Sequence, residues 1–193
     1  MGLSLIVGPA QEPVSLAEAK AHLRVTEADD DALIAGYILA ARRAAESYIR
    51  GAIITQTWDY TVDYCWPLVN VRGMSKYRIE IPLHPLQSVS SVSYVDVDGV
   101  TQTLAGSLYT VHIRGPVGYI EKAYDETFPD IRSVPEAITV RFVVGYQPDE
   151  VPDEIKAAIM LGVERLYDRC GDEGAVTDAR DALLDPYRIL RVA

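Results

Sequence analysis

The spacing of apolar residues changes twice along this chain, and any fold has to accommodate both changes. From Leu33 to Ile49 they recur at helical intervals: Leu33, Ile34, Tyr37, Ile38, Ala41, Ala45, Tyr48 and Ile49. Such a stripe buries one side of a helix. After Gly51 the period falls to two. In "ITQTWDYTVDY", Ile54, Gln56, Trp58, Tyr60, Val62 and Tyr64 alternate with Thr55, Thr57, Asp59, Thr61 and Asp63, the pattern of a strand rich in β-formers. Short strand-like runs follow in "YRIEIPL", "YTVHI", "VGYIEK" and "AITVRFVVGY". Helical spacing then returns with Ile155, Ala158, Ile159, Gly162, Val163, Leu166 and Tyr167.

Too few helices stand at either end to close a core alone, so the two sets are expected to pack together around an insertion. The expected fold class is α+β, a helical bundle from the N- and C-terminal helices with an inserted antiparallel β region. The expected boundaries are 1–52 and 147–185 for the helical core, 53–146 for the β region and 186–193 for an extended C-terminal tail. Leu33, Ile34, Tyr37, Ile38, Ile159, Val163 and Leu166 are the expected core.

Local signals punctuate this plan. Ser15 and Glu18 have capping-box spacing after Val14, which predicts a helix over about 15–24. Thr26 is positioned to cap the long helix, with Asp29, Asp30 and Asp31 in its first turns. Arg42, Arg43, Glu46 and Arg50 fall on its polar side, and Gly51 supplies a stop. Asp98-Gly99 reads as a hairpin turn. Pro152 suits a first helical position. A polar linker at 171–178, "GDEGAVTD", leads to a short helix, "ARDALL", and Pro186 ends it.

A chain of 193 residues buries about 70% of its unfolded surface and needs neither disulfide nor metal to hold a core. The net charge of −10 lacks the basic footprint of a phosphate-neutralising nucleic-acid binder. Such a surface repels DNA, which suits either solubility or a channel that DNA traverses without sticking. Twelve tyrosines against two phenylalanines suit half-wet strands or interfaces. Cys65 and Cys170 have no C-x-x-C spacing, and the apolar run at the N-terminus is too short to span a membrane. A soluble protein of a reducing compartment is expected.

Chemistry-bearing motifs are absent from the sequence. His22, His84 and His112 have no metal-ligand spacing, and no nucleophile elbow, zinc-protease motif or phosphate loop occurs. "DVDG" at 96–99 opens like a calcium loop, but Val100 and Thr101 break its register. No metal and no cofactor is expected. A small acid-dependent hydrolase using unassigned carboxylates, such as Asp125 and Glu126, stays open as the alternative function.

The chain ends on "DPYRILRVA". Tyr187, Ile189, Leu190 and Val192 are anchors of the kind found at interface centres, and Arg188 and Arg191 can pair with carboxylates on a partner. The two expectations for them are docking on a partner and folding back on the bundle.

In order and spacing, "PVSLAEAKAHLRV", "DDDALIAGYILAARRAAESYIRGAIITQTW", "IEIPLHPLQSVSSVSYVDVDG", "ITVRFVVGY" and "VPDEIKAAIMLGVERLYDRCG" resemble the phage head–tail connector (adaptor) proteins of tailed phages, prophages and gene transfer agents. The resemblance covers about residues 13–171. It implies a non-enzymatic protein assembled in the bacterial cytoplasm, forming a homo-oligomeric ring, usually a dodecamer, at the head–tail junction. The implied partners are the portal protein above and a tail-side stopper or tail terminator below. DNA is implied to pass through the lumen without specific binding, and no membrane is involved. The implied portal-docking residues are Tyr187, Arg188, Ile189, Leu190, Arg191 and Val192. The tyrosine-rich β region is expected at subunit contacts or on the tail-facing side.

Overall fold

The computed structural model describes residues 2–71, 74–115, 117–168 and 173–189. The chain divides into two compact units. One is helical, Pro9–Ile54 with Tyr146–Ala193, and the other is built from strands, Met1–Gly8 with Thr55–Gly145.

The helical unit holds α1 (Leu16–Leu23), α2 (Asp31–Ile49), α3 (Asp153–Tyr167) and α4 (Glu173–Leu184). The capping box at the start of α1 is complete: the Glu18 backbone N–H donates to Ser15 Oγ, and the Ser15 N–H donates to the Glu18 carboxylate. Asp30, not Thr26, occupies the N-cap of α2. Arg24 and Arg50 end α1 and α2 in the left-handed region. The core consists of Ile34, Ile38, Ala41, Ala45 and Ile49 of α2 with Ile155, Ala158, Ile159 and Val163 of α3 and Leu184 of α4. A Cβ on Gly162 would lie 3.0 Å from the Ala41 Cβ, so two small residues let α2 and α3 approach closely.

Three expectations are corrected here. Leu33 and Leu166 are exposed, because each sits at the border of its stripe while a tight helix–helix seam buries a narrower band. Arg42, assigned to the polar side, is only 4% exposed. Its guanidinium donates to Glu12 from Nε at 2.6 Å and to Glu46 from Nη1 at 2.7 Å. Glu46 also accepts the Ile53 backbone N–H at 3.0 Å, so the triad secures the chain where it leaves α2. Finally, residues 173–178 belong to α4 rather than to a linker.

The β unit contains β1 (Gly2–Val7), β2 (Gln56–Val62), β3 (Leu68–Val71), β4 (Met74–Glu80), β5 (Leu86–Val95), β6 (Thr101–Thr103), β7 (Tyr109–Arg114), β8 (Val117–Lys122) and β9 (Ile138–Val144). One sheet has the order β1-β2-β9-β5-β6 and the other β3-β4-β8-β7, and the paired strands are antiparallel. Ile138, Val140, Phe142 and Val144 of β9 are fully buried. They sit opposite Val62, Tyr60, Trp58 and Gln56 of β2, which makes one apolar face. A Cβ on Gly118 of β8 would fall 2.0 Å from Leu86 of β5, so glycine is required where the two sheets meet. The Asp98-Gly99 turn forms as expected: Asp96 Oδ1 accepts the N–H groups of Asp98 and Val100, and Gly99 has φ +86°.

Residues 2–7, grouped with the helical core in the sequence reading, are a strand of the β unit. Leu3 pairs with Tyr60 and Leu5 with Trp58. A six-residue segment is too short for a stable helix, and pairing satisfies the backbone groups along one side of β2.

Candidate functional site

The C-terminal segment is the site that the sequence singles out, and the helical unit builds its root. Leu184 ends α4 fully buried. Pro186 then blocks continuation, and Asp185–Tyr187 forms a single 3-10 turn. Arg188, with φ −81° and ψ 121°, is the first extended residue. The expected departure at 186 therefore occurs two residues later.

Two tyrosine–carboxylate bonds fasten this root. Tyr48 of α2 donates its hydroxyl to Asp185 Oδ1 at 2.6 Å. Tyr187 donates to Glu154 Oε2 in the first turn of α3 at 3.0 Å. The bond to Asp185 holds the Tyr48 hydroxyl above the usual tyrosine range. Burial, reinforced by Glu154, does the same for Tyr187. The Arg188 guanidinium lies 5.1 Å from the centre of the Tyr48 ring, within cation–π range. A third bond of this kind, Tyr167 to Asp30 at 2.7 Å, ties α3 to the start of α2.

Of the six residues read as a docking set, Tyr187 is half-buried against the core, Arg188 is exposed and Ile189 is half-buried. Leu190, Arg191 and Val192 lie outside the described residues. Sequence reasoning missed Tyr48, Glu154 and Asp185 as the partners that fix the root. The available signal was a tyrosine at the polar border of the α2 stripe.

Several acids and histidines have structural engagements. Asp31 pairs with Lys20, Asp30 accepts from Tyr167, Asp96 closes its turn, His22 meets Glu164 at 3.1 Å and His112 stacks on Tyr119. Asp125 and Glu126 border an open cleft of about 750 Å³ with Tyr77, His112 and Tyr124. A neighbouring cleft of about 630 Å³ is lined by Trp66, Tyr77 and Phe128. Among the described residues no three His, Cys, Asp or Glu side chains are grouped to hold a metal ion.

Residues 13–93, from just before α1 through most of β5, match the family model of the phage gp6-like head–tail connector protein. Over this segment, which is less than half of the chain, the protein is similar to the head–tail connector family. The C-terminal segment from Asp185 onward lies beyond the matched residues. No curated protein matches the chain. Solved structures do match it over its whole length. A chain described as the neck of a native gene transfer agent (GTA) particle computed with C12 symmetry superposes with TM-score 0.78 at 20% identity. A chain from the neck of an empty GTA particle computed with C6 symmetry gives TM-score 0.76 at 21% identity. A chain from the virion of a native GTA particle gives 0.76 at 20%. Each match covers 100% of this chain and 98% of the other. At such identity the shared property is the fold. No described helix is long and apolar enough to cross a membrane.

Proposed function

We propose that this protein is a structural head–tail connector of a tailed phage or phage-like particle. It forms a ring under the portal, extends the DNA channel and joins head to tail. The observation that carries this reading is the agreement between a connector-family segment and a full-length fold shared with particle-neck chains. The role is mechanical rather than catalytic, in keeping with carboxylates that close turns, cap helices and fix tyrosines. A net charge of −10 suits a lumen from which DNA slides freely. The C12 symmetry of a neck of the same fold supports a ring of twelve copies.

The portal-docking segment in this proposal is Tyr187–Val192, with Tyr187 as its root on the helical unit. Arg188 and Arg191 supply charge, and Ile189, Leu190 and Val192 supply apolar contact. Support comes from the exposure of Arg188 directly after a root fixed by two tyrosine–carboxylate bonds. The test is the solution mass of the purified chain, alone and with a portal ring. A connector assembles or co-migrates with the portal, and removal of residues 188–193 abolishes that attachment without lowering the melting temperature. A chain that stays monomeric and ignores the portal overturns the reading.

A further inference from the structure

The five-stranded sheet ends in two edge strands, β1 with a register shift between Leu5 and Val7 and β6 of only three residues. Natural edge strands carry charges, prolines or a covering element that discourages pairing with another chain. β1 carries no charge and no proline within Gly2–Val7, and no charged side chain occurs from Met1 to Gln11. Leu5 is 49% and Val7 57% exposed. Leu3 and Leu5 stand beside Tyr60 and Trp58, which are only half-buried. The apolar face of the sheet therefore continues past its covered part and reaches the open edge.

The opposite edge is similar in sequence. β6 is Thr101–Thr103, exposed throughout, and no Asp, Glu, Lys or Arg occurs from Gly99 to Ile113. Val97 and Val100, just before β6, are 63% and 55% exposed. Copies that each carry −10 repel one another, so close contact between them favours surfaces without carboxylates. Both edge strands lie in sequence runs without carboxylates, and the nearby acids are Asp96, which accepts from Gln102 of β6, and Glu136 beside Gly2 of β1.

We propose that β1 of one copy pairs with β6 of the next, so that the sheet continues from subunit to subunit. The inference rests on the ring reading above. The strand order β1-β2-β9-β5-β6 is antiparallel at every step, so β1 and β6 run in the same direction. A neighbour turned only by the small rotation of a many-membered ring therefore presents β6 parallel to β1. This contact is heterologous: each copy offers one edge of each kind, and ring closure leaves none unpaired. Isologous β1–β1 pairing would instead stop at a dimer.

A photo-crosslinking side chain at position 4 tests this in a mixture of light and isotopically heavy chains. The expected product is a mixed-isotope crosslink from residue 4 to the segment 99–105 of another copy. Crosslinks between two β1 strands, or none between copies, would overturn the pairing. A second variant, Leu5→Lys, is expected to keep the monomer's melting temperature and to lose self-association at concentrations where the unaltered chain assembles. Normal assembly by that variant also overturns the pairing. Ring mass and portal attachment are scored separately in the unaltered chain. Rings without the β1–β6 crosslink would sink this inference and leave the connector reading standing, whereas failure to bind a portal would count against the connector reading.

Discussion

The two units dispose of their large apolar side chains differently. Among the described residues of the helical unit nearly all of them turn inward, with Leu33 and Leu166 exposed. In the β unit Leu3, Leu5, Ile6, Val7, Tyr64, Tyr77, Val97, Val100, Ile113 and Tyr124 all face outward, although β9 itself is completely buried on one face. Exposed apolar side chains that adjoin one another, as Leu3, Leu5 and Val7 do along β1, mark surface for contact with another molecule. The helical unit is thus finished as a folding unit, whereas the β unit keeps surface in reserve. Substitutions should divide accordingly, costing stability in the first and assembly in the second.

The largest expected effect is in the helical seam. Ile159 is fully buried and lies in the core shared by α2, α3 and α4. Ile159→Ala should cost about 2–5 kcal/mol in denaturant unfolding, from lost transfer energy plus the cavity left behind. A variant with an unchanged midpoint would erase the contrast between the units.

Next comes the buried cation. Arg42→Met removes the charge between Glu12 and Glu46, leaving two carboxylates without their partner. Loss of one member of a buried pair costs about 3–5 kcal/mol. Glu12 is partly open to solvent, so about 2–3 kcal/mol is expected here. The deficit should shrink in acid, as protonation relieves the two carboxylates. A deficit equal at neutral and acid pH would show that packing of the Arg42 stem, rather than its charge, is what matters.

Most of the helical unit was legible because its signals are local. The α2 stripe, the Ser15–Glu18 capping box and the Asp98-Gly99 turn each involve residues a few positions apart. Arg42 was misread because its partner Glu12 is 30 residues away, and helical spacing sees only the polar side it nominally occupies. β1 was missed because its short run, with Leu3, Leu5, Ile6 and Val7, has no partner nearby in sequence; β2, about 50 residues later, decides its fate. Arg188 illustrates the same limit at the tail. Pro186 correctly marks the end of α4, but the 3-10 turn after it depends on Asp185 meeting Tyr48 and Tyr187 meeting Glu154, contacts 137 and 33 residues apart.

Those two contacts give a smaller, pH-dependent effect. The hydroxyls of Tyr48 and Tyr187 are held above the ordinary tyrosine range in the folded protein. Their contribution is therefore fully present below the unfolded value of about 10 and is lost as pH rises through the folded value. Stability should fall more steeply above about pH 10 in the unaltered chain than in Tyr48→Phe/Tyr187→Phe, which has no such protons to lose. Parallel alkaline limbs for the two proteins would detach the tail root from these bonds.

The smallest effect on stability, and the sharpest test of the contrast, is at Tyr124. Its side chain is 92% exposed on the rim of the open cleft that Tyr77 and His112 also line. It has little packing to lose, so Tyr124→Ser should change unfolding free energy by less than about 0.5 kcal/mol, as surface substitutions usually do. The same change removes a large amphipathic side chain of the type enriched at protein interfaces. If the β unit's outward aromatics serve assembly, ring formation or attachment of the next particle component should weaken while the monomer melts as before. If both stability and assembly stay unchanged, Tyr124 is a bystander, and the reserve surface of the β unit contracts to its two sheet edges. If instead stability falls by several kcal/mol, the loop around Tyr124 is part of the folded core, and the division between a finished unit and an unfinished one fails at that point.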